Sequence, residues 1–122
     1  MPGPNQRTGK VYIQIDGVSM ESMDGAKLTN YEGNERDAVS GTDVFGYLEK
    51  VAVPTIAAEF AHGPLIIMDA IAAITNSTIT FQCDSGPTYA LLNAWKSKGS
   101  ELTGGQGKVA FEFQGKRCIQ VA

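Results

Sequence analysis

The chain has 122 residues, which fits one domain and is too short for two domains that each bury a core. Ten Lys and Arg residues against thirteen Asp and Glu give a formal net charge of −3, which argues against a basic nucleic-acid-binding protein. With 43% hydrophobic residues the chain can form a core, but no stretch reaches the roughly 18 apolar residues of a membrane span, so we expect no membrane insertion.

The first ten residues are polar. Residues 1–9 contain two prolines and two glycines without apolar periodicity, which predicts a flexible N-terminal arm over residues 1–10. Arg7 and Lys10 give this arm a charge of +2. Because it lacks the apolar core of a signal peptide, we expect a soluble intracellular product or one released by another route.

Alternating apolar and polar residues predict strands at 11–15, 77–83 and 108–114. Further strands, separated by turn sequences, are predicted at 18–23, 26–29, 51–60, 88–92 and 116–121. The 51–60 strand is expected to begin near Pro54, because proline is suited to a strand start or an edge. The pattern predicts a mainly β single domain over residues 1–122: a β-sandwich or barrel of about eight or nine strands with one flanking α-helix.

The segment 30–50 is acidic, with five acids against two bases. Residues 30–43 are polar, and apolar residues follow them. Phe45, Tyr47 and Leu48 supply apolar surface that a loop in solvent would not need. We interpret the segment as either a long connection or an extended hairpin, and loops of this length are usually functional or mobile. Its charge of −3 complements that of the arm, so the two are candidates for pairing between copies of the chain.

Residues 65–74 predict the one convincing helix, which follows Gly63-Pro64. Its apolar residues spread around the whole helical wheel, so more than one side must be covered. We infer that the domain's own sheet covers one side and a neighbouring subunit the other. The residues assigned to this interface helix are Ile66, Ala70 and Ile71, of which Ile66 or Ala70 is expected nearer the interface. Ile67, Ile71 and Ile74 are expected to be buried within the subunit.

No arrangement of catalytic, cofactor-binding or metal-ligating residues emerges, so we predict a protein that is not an enzyme. The single histidine, His62, lies at a strand-to-helix corner, and its spacing from Asp69 and Cys83 supports no catalytic triad. Cys83 and Cys118 are 35 positions apart and, with one histidine, cannot close a zinc site, so we interpret them as small core residues. The glycine-rich loop 104–107 lacks the lysine and Ser/Thr of a phosphate-binding loop.

Several short motifs follow one another along nearly the whole chain. They are Arg7-x-Gly9, Ile15-Asp16-Gly17, Glu21-Ser22-Met23-x-Gly25-Ala26, Arg36-x-x-Val39-x-Gly41, Val44-Phe45-Gly46-Tyr47, Thr78-x-Thr80-Phe81-Gln82-x-Asp84-x-Gly86, Asn93-Ala94-Trp95 and Val109-x-Phe111. In order, spacing and total length the chain resembles the tail tube proteins of Mu-like contractile phages, which are related to the inner-tube proteins of type VI secretion systems and R-type pyocins.

The resemblance implies six subunits in a ring, with their sheets joined into a continuous β-barrel around a lumen. Rings would stack into the inner tube of a phage tail, inside a sheath protein. The tape measure protein and then DNA would occupy the lumen without sequence-specific binding. The protein would be a virion component that is assembled in the bacterial host cytoplasm.

Two sets of residues are assigned to this architecture. Stacking of rings is expected to use the arm and the 30–50 segment, namely Arg7, Lys10, Glu35, Arg36, Asp37, Asp43, Phe45, Tyr47 and Leu48. The lumen is expected to be lined, without net positive charge, by Thr78, Thr80, Gln82, Glu112 and Gln114, with Lys108 near an acid.

Two alternatives remain at the level of sequence. The chain could be the inner tube of a phage-derived bacteriocin or contractile injection system, which differs in lacking a DNA-filled capsid. It could also be a monomeric β-barrel module that binds a small ligand, which predicts a discrete cavity and a helix with a polar outer face.

Overall fold

The computed structural model describes residues 3–20, 25–64 and 67–122. These residues form eleven strands and one short helix, which confirms the mainly β fold with one helix. The elements are β1 (Val11–Ile15), β2 (Val18–Met20), β3 (Lys27–Thr29), β4 (Asn34–Ser40), β5 (Val44–Val51), β6 (Thr55–Ala61), α1 (Met68–Ala72), β7 (Ser77–Cys83), β8 (Thr88–Lys96), β9 (Glu101–Thr103), β10 (Lys108–Gln114) and β11 (Arg117–Gln120). The strands outnumber the predicted eight or nine because the 30–50 segment contributes two and the glycine-rich loop before β10 another.

Nine strands form two antiparallel layers that share one core. The first layer has the order β2-β1-β7-β8-β11, and the second has the order β3-β6-β10-β9. The layers join where the end of β8 pairs with the end of β10, at Lys96 opposite Phe113 and Trp95 opposite Gln114. The remaining two strands, β4 and β5, form a sheet of their own.

The core lies between the two layers. On β10, Val109, Phe111 and Phe113 point inward, as their alternation predicts, and Phe113 faces Ile56 of β6. Phe111 lies opposite the small Ala58, so large and small side chains interdigitate. Burying each of these aromatic rings contributes on the order of 2–3 kcal/mol.

The helix is shorter than predicted, because α1 spans Met68–Ala72 instead of 65–74. Ile71 is buried as predicted, Ile74 is half-buried and Ala70 is exposed. The prediction for Ile67 is wrong: its side chain is 64% exposed, because this β-branched residue is the helix N-cap with an extended backbone (φ −106°, ψ 99°). Ile66 lies outside the described residues, as do residues 21–24, into which the predicted second strand extends.

Two strand boundaries also differ from the prediction. β8 continues to Lys96 because its last residues pair with β10, a long-range contact that periodicity does not reveal. β6 begins at Thr55, directly after Pro54, as expected for a proline at a strand start, whereas Val51 belongs to β5 and not to this strand. The carbonyl of Pro54 accepts a hydrogen bond from the Gly115 N–H, at 3.1 Å.

Candidate assembly surfaces

The 30–50 segment forms an extended hairpin made of β4 and β5, which we call the hairpin (residues 34–51). It continues the β3–β6 pair, since the Ala52 N–H donates to the Gly33 carbonyl at 3.1 Å where one ribbon passes into the other. A bulge interrupts the pairing between Val39 and Ser40, near the tip. The hairpin is therefore an ordered two-stranded extension that projects from the two-layer body.

Every residue of β5 is exposed, although five of its eight residues are large and apolar. The exposed fractions are 71% for Val44, 71% for Phe45, 61% for Tyr47, 60% for Leu48 and 90% for Val51. An isolated two-stranded ribbon is marginally stable in water, and a contiguous exposed apolar surface marks an interaction site. The hairpin therefore has the composition of a surface that another protein covers.

The charges of the hairpin are largely paired within it. Arg36 lies opposite Glu49, with 3.2 Å between Nε and Oε1, and its guanidinium is 5.2 Å from the centroid of the Tyr47 ring. On the other face, Lys50 forms an ion pair with Asp37. These pairs leave the apolar atoms of β5, more than its charges, available to a partner. The predicted contact of these charges with another copy stays a prediction.

At the tip, the carboxylate of Asp43 accepts a hydrogen bond from the Val44 N–H, at 2.9 Å. Asp43 thereby shapes the turn that presents Phe45 to solvent. Glu35 stands opposite Lys50 in the strand register and is exposed.

The N-terminal arm is held against the body over part of its length, at the turn between β7 and β8. The Gly9 N–H donates to Oδ1 of Asp84 at 3.0 Å, and the Asp84 N–H donates to the Lys10 carbonyl at 3.0 Å. The hydroxyls of Thr8 and Ser85 also form a hydrogen bond. The side chain of Arg7 is exposed beside this anchored segment. Sequence reasoning missed these contacts because the partners are about 75 positions apart and no local pattern links them.

The predicted lumen residues divide between two surfaces. Thr78, Thr80 and Gln82 lie on the outer face of the first layer, whereas Glu112 and Gln114 lie on the outer face of the second. Because both layers bury their inner faces in one core, these outer faces point away from each other. A single lumen can therefore be lined by one of the two sets and not by both.

The outer face of the second layer carries charges in pairs. Lys108 lies beside an acid, as predicted, and that acid is Glu59, at 3.3 Å between Nζ and Oε2. Glu112 in turn contacts Lys98 at 3.5 Å. This face therefore carries no excess of positive charge from these four residues.

An open cavity of about 480 Å³ lies between the layers, and we call it the Tyr31 pocket. Its lining comprises Thr8, Leu28, Tyr31, Phe81, Cys83, Tyr89 and Gln120. The Tyr31 and Tyr89 rings meet edge to face with centroids 5.4 Å apart. The pocket bears on the ligand-binding alternative, which predicted a discrete cavity, but it opens widely to solvent.

The two cysteines, Cys83 and Cys118, are free thiols buried in the core, as predicted. Burial raises the pKa of the Cys118 thiol, and a backbone hydrogen bond from Ile119 opposes this effect. Within residues 3–20, 25–64 and 67–122, no three His, Cys, Asp or Glu side chains are grouped to hold a metal ion. No helix among the described residues is long and apolar enough to span a membrane.

Residues 4–120 match the model of the phage tail tube protein family, and the chain belongs to this family. The tail tube protein of Escherichia phage Mu is 35% identical over 118 residues, covering 97% of this chain and 98% of that protein. The Mu-like prophage FluMu tail tube protein of Haemophilus influenzae is 28% identical over 116 residues, covering 95% and 97%. The resemblance to Mu-like tail tube proteins is thereby confirmed.

Solved structures share the fold at low sequence identity. The sheath/tube terminator of an extracellular contractile injection system (PVC, extended state) matches with a TM-score of 0.64 and 15% identity, covering 100% of this chain and 98% of that one. The tube-terminating cap of the anti-feeding prophage matches with a TM-score of 0.64 and 13% identity, covering 95% and 90%. The fold is therefore that of contractile-system tube proteins.

Proposed function

We propose that the chain is the tail tube subunit of a contractile phage tail, in which six copies form a ring and stacked rings form a hollow tube for DNA. The observation that carries this proposal is the hairpin, whose apolar strand is exposed on both faces and needs a partner. Family membership supplies the class, since the named relatives are tail tube proteins.

The open edges of the body support ring closure. Among the described strands, β3 and β9 end the second layer, and each has only three residues. Short strands at the ends of a sheet are either protected from pairing or completed by a neighbour, and closing a barrel removes such edges altogether. Six copies joined through this layer satisfy both of its edges, β3 and β9, at once.

Stacking of the rings is assigned to the arm and the hairpin, in keeping with their charges of opposite sign and with the apolar surface of β5. Each subunit repeats the contact around the ring, so that a weak contact of about 1 kcal/mol becomes a firm junction through avidity. Exposed apolar residues at the helix, among them Ile67 at its N-cap and Ala70 within it, are assigned to contacts with a neighbouring subunit.

The lumen is assigned to an outer face whose side chains do not attract the phosphate groups of DNA. Hydroxyl and amide groups dominate the face formed by Thr78, Thr80 and Gln82, whereas a basic lining would retain DNA electrostatically. The tape measure protein and then DNA would pass along it, with the sheath protein outside the tube. One solved neighbour, at 14% identity and a TM-score of 0.62, comes from a sheath-tube complex of an injection system and covers 93% of this chain and 88% of that one. We infer that the protein is a component of the virion tail that is assembled in the host cytoplasm.

The test is electron microscopy and sedimentation of the purified protein at rising concentration. Rings or hollow rods are expected, and a monomer at every concentration would contradict the proposal. Deleting residues 1–9, or shortening the tip across residues 40–46, should spare the fold and the single ring but prevent long tubes, with circular dichroism as the control for folding. Normal tube growth by both variants would move the stacking contact to the ends of the sheets.

An injection particle built from the same tube is the close alternative. It predicts the same rings and rods, so the two are separated at the level of the whole particle. Purified particles from producing cells should carry DNA protected from nuclease if the tube belongs to a phage.

A further inference from the structure

The Tyr31 pocket is an open cavity beside the apolar core that the described residues leave uncovered. Leu28, Phe81 and Cys83 supply its apolar lining, and Phe81 and Cys83 are themselves core residues. Hydroxyl and amide groups of Thr8, Tyr31 and Gln120 complete its lining. Such a site suits an apolar side chain or ring whose neighbours are polar.

The tip of the hairpin has the complementary form. Phe45 and Val44 are each 71% exposed, and the Phe45 ring lies on the turn, since a Cβ at Gly41 would be 3.3 Å from its Cε2 atom. The carboxylate of Asp43, which precedes them in the chain, accepts a hydrogen bond from the Val44 N–H at 2.9 Å. The tip is therefore an apolar knob with one adjacent negative charge.

The tip of a chain cannot enter the pocket of the same chain. Tyr31 lies three positions before the first residue of β4, so the pocket is at the root of the hairpin. The seven residues of β4 then carry the tip about 23 Å away, at about 3.3 Å per residue. A contact between knob and hole must join two copies, and such a heterologous contact produces rings or open-ended stacks.

The charges around the two surfaces are complementary. Thr8 lines the pocket, Arg7 precedes it directly, Lys10 follows it two positions later, and both basic residues are exposed. Asp43 flanks the knob. Opposite charges arranged in this way fix the orientation of an otherwise apolar contact and favour the correct partner.

We propose that the Tyr31 pocket receives the hairpin tip of a second copy of this chain, with Phe45 against Leu28, Phe81 and Cys83. In the same contact Asp43 approaches Arg7 and Lys10. This inference rests on the proposed function, because it names the receptor for the hairpin in the stacked tube. It also explains why the arm contributes to stacking, since Thr8 forms part of the receptor.

The native thiol of Cys83 allows a direct test by crosslinking. In Phe45→Cys, the new thiol of one copy should form a disulfide with Cys83 of another when copper phenanthroline is added as oxidant, giving a ladder on a non-reducing gel. The ladder should disappear in Phe45→Cys/Cys83→Ser and persist in Phe45→Cys/Cys118→Ser. Val51→Cys, at the root of the hairpin, is the matched control and should give no Cys83-dependent ladder.

A second variant is needed in case removal of the phenyl ring of Phe45 itself prevents assembly. Gly41→Cys retains Phe45 and places a thiol beside its ring, since a Cβ at Gly41 would be 3.3 Å from the Cε2 atom of Phe45, so it should also crosslink through Cys83. In the wild-type background, Phe45→Leu should preserve tube growth, whereas Phe45→Ala should raise the concentration needed for tubes by about tenfold or more.

The outcomes separate this inference from the proposed function. Tubes that grow normally while neither cysteine variant gives a Cys83-dependent ladder would overturn the docking contact and leave the tube function standing. Wild-type protein that remains monomeric, with no ladder, would overturn both. A hydrophobic dye that binds equally well in the presence and absence of tubes would identify the pocket as a site for a small ligand instead.

Discussion

The hairpin (β4 and β5) continues the β3–β6 pair of the body as one ribbon. The two parts of this ribbon differ in what covers their side chains. β6, in the body, alternates buried and half-buried residues along its whole length, whereas all eight residues of β5 are exposed. Both strands have an antiparallel partner along most of their length, with one bulge at Val39 and Ser40 near the hairpin tip, so backbone pairing does not account for the difference in exposure. What differs is the core, which the body supplies to β6 and which only another molecule can supply to β5.

The apolar pattern of the two regions reflects this difference. In β10, Val109, Phe111 and Phe113 alternate with polar residues and occupy one face. In β5, Phe45 and Tyr47 are each adjacent to a second apolar residue, so apolar side chains occur on both faces of the strand. An exposed strand with this pattern is suited to insertion between two surfaces of other copies.

The largest expected effect comes from a charge in the body. Ile71 is 6% exposed and packs in the core, so Ile71→Asp would bury a carboxylate without a partner, at several kcal/mol. Since small domains have a total stability of about 5–15 kcal/mol, this variant should fail to fold. Val51→Asp in the hairpin, where the side chain is 90% exposed, should leave the thermal unfolding midpoint nearly unchanged. A folded, ring-forming Ile71→Asp protein would contradict the role of the helix.

Truncation of one phenylalanine in each region should separate stability from assembly. Phe113→Ala removes a fully buried ring and should lower the free energy of unfolding by about 3–5 kcal/mol. Phe45→Ala should change it by less than about 0.5 kcal/mol, because the ring is mostly in solvent in the single subunit. Urea denaturation of the monomers measures both. The comparison fails if Phe45→Ala destabilises the isolated subunit as strongly as Phe113→Ala.

The sequence predicts the body better than the surfaces that join copies. Val109, Phe111 and Phe113 follow from period-two alternation, which is a local signal of a half-buried strand. Ile71 is buried as expected and Ile67 is not, and the pattern could not separate them, because apolar residues all around the helical wheel single out no buried face. The Tyr31 pocket could not be predicted, since its lining comes from distant segments of the chain.

Substituting one glycine in each region should have a smaller effect on stability. A Cβ at Gly115 would lie 2.7 Å from Leu91 Cγ and 2.9 Å from the Leu92 carbonyl, so Gly115→Ala should lower the global stability by about 1–3 kcal/mol. Gly46 has open space but a φ of +145°, so Gly46→Ala should strain the hairpin by about 1–3 kcal/mol. Hydrogen exchange should then increase only in residues 34–51, while the urea midpoint of the body stays the same. A loss of protection in β10 would show that the two regions unfold together.

The smallest effect concerns the ion pairs, which should be equally weak in both regions. Double-mutant cycles on Arg36 with Glu49 in the hairpin, and on Lys108 with Glu59 in the body, should each give a coupling of about 0.2–1 kcal/mol, because all four side chains reach solvent. The stacking of Arg36 on Tyr47 adds at most about 1 kcal/mol at an exposed site. Raising the salt concentration to about 1 M should reduce both couplings, since the screening length falls to about 3 Å. Equal coupling energies in the two ion pairs would mean that apolar burial, and not electrostatics, distinguishes the body from the hairpin. A coupling above about 2 kcal/mol in the hairpin alone would mean that electrostatics stabilise it in the single subunit, and the need for a partner copy would lose its physical basis.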